Sequence, residues 1–163
     1  MAARRSAGIL LYRNHGDGVS VLLVHPGGPY WARKDLGAWS IPKGEYVDGD
    51  DPQAAALREF EEELGSRPAG TLVALGELIQ KGGKHVTAFA VEGNLDPAEI
   101  VSNTFELEWP PRSGRRQLFP EVDRAEWFSL DDARQRILAS QRPFLDRLAA
   151  FIAAEAGDGH PVT

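Results

Sequence analysis

The chain of 163 residues contains no cysteine. That removes disulfides, thiolate zinc sites and cysteine nucleophiles together, and it fits a reducing compartment. Long apolar runs are missing too. The opening MAARRSAGILLYR sets two arginines before an apolar stretch, but Ala7 to Leu11 is too short for the apolar region of a secretory leader, and no spanning segment follows. The expectation is a cytoplasmic protein without membrane contact. Positive charge is in deficit, with 18 Lys and Arg against 24 Asp and Glu and a net charge of −6. General nucleic-acid binding needs clustered cations and is not expected, although a nucleotide remains possible where a metal screens an acidic site. No histidine spacing suits a metal. The run KGGK at 81–84 lacks the spaced glycine and Lys-Ser/Thr ending of a phosphate loop and reads as a solvated turn. No internal repeat or low-complexity segment occurs.

What the chain does have is a dense acidic stretch from Gly44 to Ser66, GEYVDGDDPQAAALREFEEELGS. Asp51 is a good N-cap, Pro52 suits the first helical position, and Gly65 suits the left-handed residue beyond the end, so a helix is expected from about Pro52 to Leu64. Leu57, Phe60 and Leu64 then form a buried stripe, with Ala56 small enough to admit a sheet. At about 100° per residue, Glu59, Glu62 and Glu63 crowd one edge beside it. Arg58 alone cannot neutralise three carboxylates, whereas a divalent cation can. Oxygen ligands without histidine or thiolate favour magnesium, manganese or calcium over zinc, and magnesium keeps open positions for water and phosphate oxygens. A calcium loop starting at Asp48 fails, because Pro52 and Gln53 fall where an oxygen ligand and a glycine are needed. The remaining alternative is a solvated acidic helix face.

This stretch resembles the signature of the Nudix hydrolase family (MutT-like), with Gly44, Arg58, Glu59, Phe60, Glu62, Glu63 and Gly65 in register. Two positions depart from it: Asp50 stands where the family has glutamate, and Ser66 where it has an apolar residue. The resemblance implies an α/β fold, a mixed β-sheet sandwiched between helices (α/β/α), and hydrolysis of a diphosphate linkage in a nucleoside diphosphate derivative with water as nucleophile. It also implies Mg2+ or Mn2+ as cofactor, with Glu59, Glu62, Glu63 and Gly44 as the metal set. Arg58 is assigned to holding the glutamates in place. The general base stays open among a signature glutamate, Glu106, Glu108, Glu121 and Asp123. A non-catalytic nucleotide or ADP-ribose sensor on the same fold is the alternative, motivated by Asp50.

Around the signature, Ser6–Arg13 and Val19–His25 read as a hairpin joined by NHGDG, and Thr71–Gln80 and His85–Glu92 as a second. Trp39 to Lys43 form a short strand and turn. Substrate-contact candidates are Lys43 for phosphate, Trp31 for base stacking, and Trp109 and Arg116 from the segment of residues 93–116, which holds a strand Thr104–Trp109. A last strand Ala125–Phe128 precedes a helix capped by Ser129 and running to about Ala139. A C-terminal helix follows at about 142–156, and a mobile tail over 157–163. The whole, residues 1–163, reads as one domain binding a nucleotide-type small molecule, as monomer or homodimer, with a partner-binding role for the 109–116 loop as a further possibility.

Overall fold

A computed structural model describes residues 4–16 and 18–158 of the chain. Its centre is β1 (Arg5–Asn14), an almost uninterrupted apolar strand of the kind that is covered on both faces. One edge pairs in parallel with β5 (His85–Glu92) over its whole length. The other edge is divided. Arg5 to Gly8 pair with β3 (Lys43–Tyr46), and Tyr12 to Asn14 pair with β2 (Val19–Pro26), both antiparallel. With β4 (Val73–Ile79) beside β5 and β8 (Val122–Ser129) beside β2, the mixed sheet has the order β4-β5-β1-β2-β8, with β3 joined to β1.

Alternation along β1 divides the core. Ile9 and Leu11 face α1 (Pro52–Leu64), packing with Ala55, Ala56, Phe60 and Leu64. Leu10 and Tyr12 face the opposite layer of α2 (Leu130–Arg136) and α3 (Arg142–Asp158), packing with Trp39, Ile137, Phe144, Leu145 and Leu148. The result is the expected α/β/α sandwich. Within the sequence-predicted stripe on α1, Leu57 is only half-buried, and Ala55 takes its place against the sheet.

The ends of α1 form as their sequence dictates. Asp51 accepts a hydrogen bond from the Ala54 amide at 3.2 Å, and Gly65 has φ 85° while its amide bonds back to Glu61. Several boundaries differ from the sequence reading. The strand expected at Trp39–Lys43 is a two-residue bridge: Ser40 exchanges backbone bonds with Val24, and Trp39 with Arg136 and Leu138. The regular strand there is β3, inside the signature itself. The helix expected to reach Ala139 ends at Arg136, and a 3-10 turn at Ala139–Gln141 leads into α3. The segment 93–116 gives β6 (Thr104–Glu108), which pairs with the unexpected β7 (Arg116–Pro120) as a separate two-stranded sheet. Residues 157 and 158, placed in the tail by sequence, continue α3, and the remainder of the tail lies outside the described residues. No helix of the described residues is long and apolar enough to cross a membrane.

Candidate active site

Helix α1 and strand β3 meet edge to face, and the acids gather at that junction. Gly44, opposite Ala7 on β1, turns toward α1 so closely that a Cβ added there would lie 2.0 Å from the Glu59 carboxyl carbon. The position accepts only glycine while Glu59 keeps its place. Glu59, Glu62 and Glu63 open onto a cavity of about 490 Å³ that is also lined by Lys43, Gly44, Glu45, Asn103 and Glu121. Asn103 and Glu121 arrive through the C-terminal end of α1. The Asn103 amide donates to the Glu62 carbonyl at 2.9 Å, the Glu121 amide donates to the Asn103 carbonyl at 2.9 Å, and the Ser102 hydroxyl accepts from the Val122 amide at 3.0 Å.

The charges are out of balance here. Burial first, then the Glu59 charge, pushes the Glu63 carboxyl up to about 8, with Glu121 adding to the rise and Lys43 opposing it. Its Oε2 is buried without a hydrogen-bond partner. Glu59 is raised as well, by burial and then by Glu62. Arg58 stands 3.8 Å from Glu59, an ion pair rather than a hydrogen bond, and makes no ion pair with Glu62. Lys43 is lowered to about 8, by burial and then by the charge of Lys84. Lys84 is therefore not the solvated turn residue its sequence suggests; its side chain is 29% exposed, its amine lies 4.0 Å from the Glu45 carboxylate, and its charge bears on Lys43.

The residues present fit a divalent cation by their chemistry: the side-chain donors are carboxylate oxygens, one of them buried and unbonded, and two of the carboxyls are raised by burial first and by neighbouring carboxylate charge second. As placed, the acids do not form a ready three-ligand group among the described residues. A second compartment of about 250 Å³ adjoins the first and shares Lys43, Glu63 and Glu121 with it. Trp31, Val24, Ala38, Ile41, Val122 and Leu138 supply its apolar walls.

Of the sequence-predicted residues, Glu59, Glu62, Glu63, Gly44, Lys43 and Trp31 line these two joined compartments. Trp109 and Arg116 do not. Trp109 packs edge-on against Tyr30 at 5.3 Å, and Arg116 is paired with Glu106 at 2.6 Å on the β6–β7 hairpin. Glu106 is thereby committed, Glu108 accepts from the Gly114 amide, and Asp123 pairs with His25. Glu121 is the outlying acid that reaches the cavity. Asp50 sits in an exposed turn and lines neither compartment. Sequence reasoning missed Asn103, whose role passes through its backbone and leaves no side-chain signal.

The chain belongs to the Nudix hydrolase family: the NUDIX domain model matches residues 2–148. Members of this family generally use divalent metals. An RNA pyrophosphohydrolase of Rhodospirillum rubrum is 29% identical over 160 residues, covering 93% of this chain and 93% of that protein. Among solved structures, a Caenorhabditis elegans Ap4A hydrolase binary complex superposes with a TM-score of 0.63 at 24% identity, over 91% of this chain and 98% of that one. The NUDIX domain of Shewanella oneidensis NrtR complexed with ADP ribose gives 0.62 at 16% identity, over 93% and 90%. At those identities the structural likeness concerns the fold.

Proposed function

We propose that this chain hydrolyses a diphosphate linkage in a nucleoside di- or triphosphate or a nucleoside diphosphate derivative, with Mg2+ or Mn2+ held by Glu59, Glu62, Glu63 and Gly44. The observation that carries the reading is the junction of α1 and β3, where three signature carboxylates share one cavity with Lys43 and Glu121. A bound divalent cation would neutralise phosphate oxygens and lower the pKa of a coordinated water. The chain's own groups supply the rest. Lys43, which lines both compartments, offers positive charge to the phosphate portion of the substrate. Glu121, which lines the same cavity, is the acid we assign to accept the proton of the attacking water. Trp31 and the apolar walls beside it offer a face to a base or other flat group. Arg58 restrains Glu59.

The substrate class draws support from the names of similar proteins, an RNA pyrophosphohydrolase, an Ap4A hydrolase and a domain complexed with ADP ribose, all of which concern nucleotide phosphates. A sensor without turnover was suggested by Asp50, and Asp50 lines neither compartment, so no observation favours it. The test is a panel of nucleoside di- and triphosphates, dinucleoside polyphosphates, ADP-ribose and 5′-triphosphorylated RNA, each with Mg2+ and with Mn2+. Metal-dependent release of phosphate or mononucleotide is expected. Binding without release across the whole panel would sink the proposal.

A further inference from the structure

His25, on β2, is 0% exposed, and the reaction outlined above does not use it. Its Nδ1 lies 2.8 Å from Oδ1 of Asp123 and its Nε2 lies 2.6 Å from the carbonyl oxygen of Lys34. A carbonyl oxygen can only accept. The Asp123 carboxylate, with its side chain 33% exposed and open to water, also accepts. Two acceptors facing the two ring nitrogens require a proton on each, which is the imidazolium form.

Each of the two partners adjoins a residue that lines the compartment beside the acids. Lys34 closes a turn in which its amide donates to the Trp31 carbonyl at 2.9 Å, and Trp31 is one wall. Asp123 directly follows Val122, which lines the compartment as well. We propose that doubly protonated His25 is a positioning residue, a buried cationic strap that sets the spacing between Trp31 and Val122 and so governs substrate affinity rather than turnover.

The charged groups around the ring are Asp123 and Arg124 from β8, Asp35 from the loop, and Arg136 from α2. Arg124 lies over the Trp39 ring, which packs edge-on against His25 at 5.1 Å; Asp35 accepts from Trp39 Nε1 and is paired with Arg136. None of these replaces the proton that Nδ1 presents to Asp123.

The inference rests on the proposed hydrolysis only for the substrate used to read KM; two other readouts need no substrate. In ¹⁵N-histidine spectra of the full chain at about pH 7, the ring signal that His25→Gln removes should show two protonated nitrogens. In Asp123→Asn it should show one, with Nδ1 accepting from the new amide. Trypsin should cut after Lys34 about tenfold faster in His25→Gln and Asp123→Ala than in the parent, since a loosened loop is cleaved from its open state. With any substrate of the panel, those two variants should raise KM about tenfold while kcat changes less than about twofold. The Asp123 variants carry the test alone if His25→Gln does not fold. A parent ring with a single protonated nitrogen would overturn the inference. So would parental KM and cleavage rates in the folded variants. Absence of turnover by the parent would instead count against the proposed function and leave the spectral and proteolytic results to decide.

Discussion

Between the pKa of a glutamate in the unfolded chain and the value of about 8 that its surroundings give Glu63, the folded metal-free protein holds a proton that the unfolded chain has released. The folded state then binds more protons, so its stability is greatest below about pH 4.5 with respect to this group and declines as pH rises toward 8. Glu59 is shifted in the same direction. Lys43, lowered to about 8, stays charged through that window and adds an opposite slope only above it. Thermal melts of the chelator-treated protein between about pH 5 and pH 8 should therefore show a falling Tm, and Glu63→Gln should flatten the fall. For turnover, Glu62→Gln or Glu63→Gln should reduce kcat by roughly 10²-fold or more with the fold intact by circular dichroism. Glu121→Gln should act similarly if it accepts the water's proton. Unchanged rates in all three purified variants would contradict the roles assigned to these residues.

At the scale of the element, α1 and β3 work as one device, because the close approach of Gly44 brings Glu59 to the strand. Gly44→Ala cannot keep both in place, and metal-dependent turnover should fall by roughly tenfold or more while the sheet still forms. Asp51→Ala, at the cap of the same helix, should lower stability by about 1 kcal/mol in denaturant melts, with a smaller effect on rate. The same helix explains why so much of the site was legible in the sequence. Asp51, Pro52 and Gly65 are local signals that act within one turn, and the spacing of Glu59, Glu62 and Glu63 follows from helical geometry alone. What was not legible depends on distance. The parallel pairing of β1 with β5 leaves no local mark, since the buried middle of each strand is mainly apolar and names no partner. Strand β7, exposed except for the half-buried Phe119, carries none of the alternation by which strands are recognised. Lys84 looked like a turn lysine because its neighbour Lys43 comes from another strand 41 positions earlier. Arg116 and Trp109 looked available for substrate, and their partners Glu106 and Tyr30 become evident only once the hairpin is folded.

For the molecule as a whole, a cation bound among the acids should couple the site to global stability, because the repulsion it relieves is present only when α1 is docked on the sheet. Magnesium or manganese at about 100 times its dissociation constant should stabilise the protein by about 2.7 kcal/mol. The gain should be smaller in Glu63→Gln. A Tm indifferent to both metals would separate the acidic cluster from metal binding. The central strand β1 has a different kind of consequence, one for synthesis. It leaves the ribosome ahead of β2, β3 and α1, yet its whole second edge waits for β5, which begins at His85. Until then a nascent chain carries an apolar ribbon with one border open, ready to pair with whatever strand is nearest. A fragment ending at Lys84 should be prone to aggregate, and slow translation across the β4–β5 turn should lengthen the interval during which the growing polypeptide needs a chaperone.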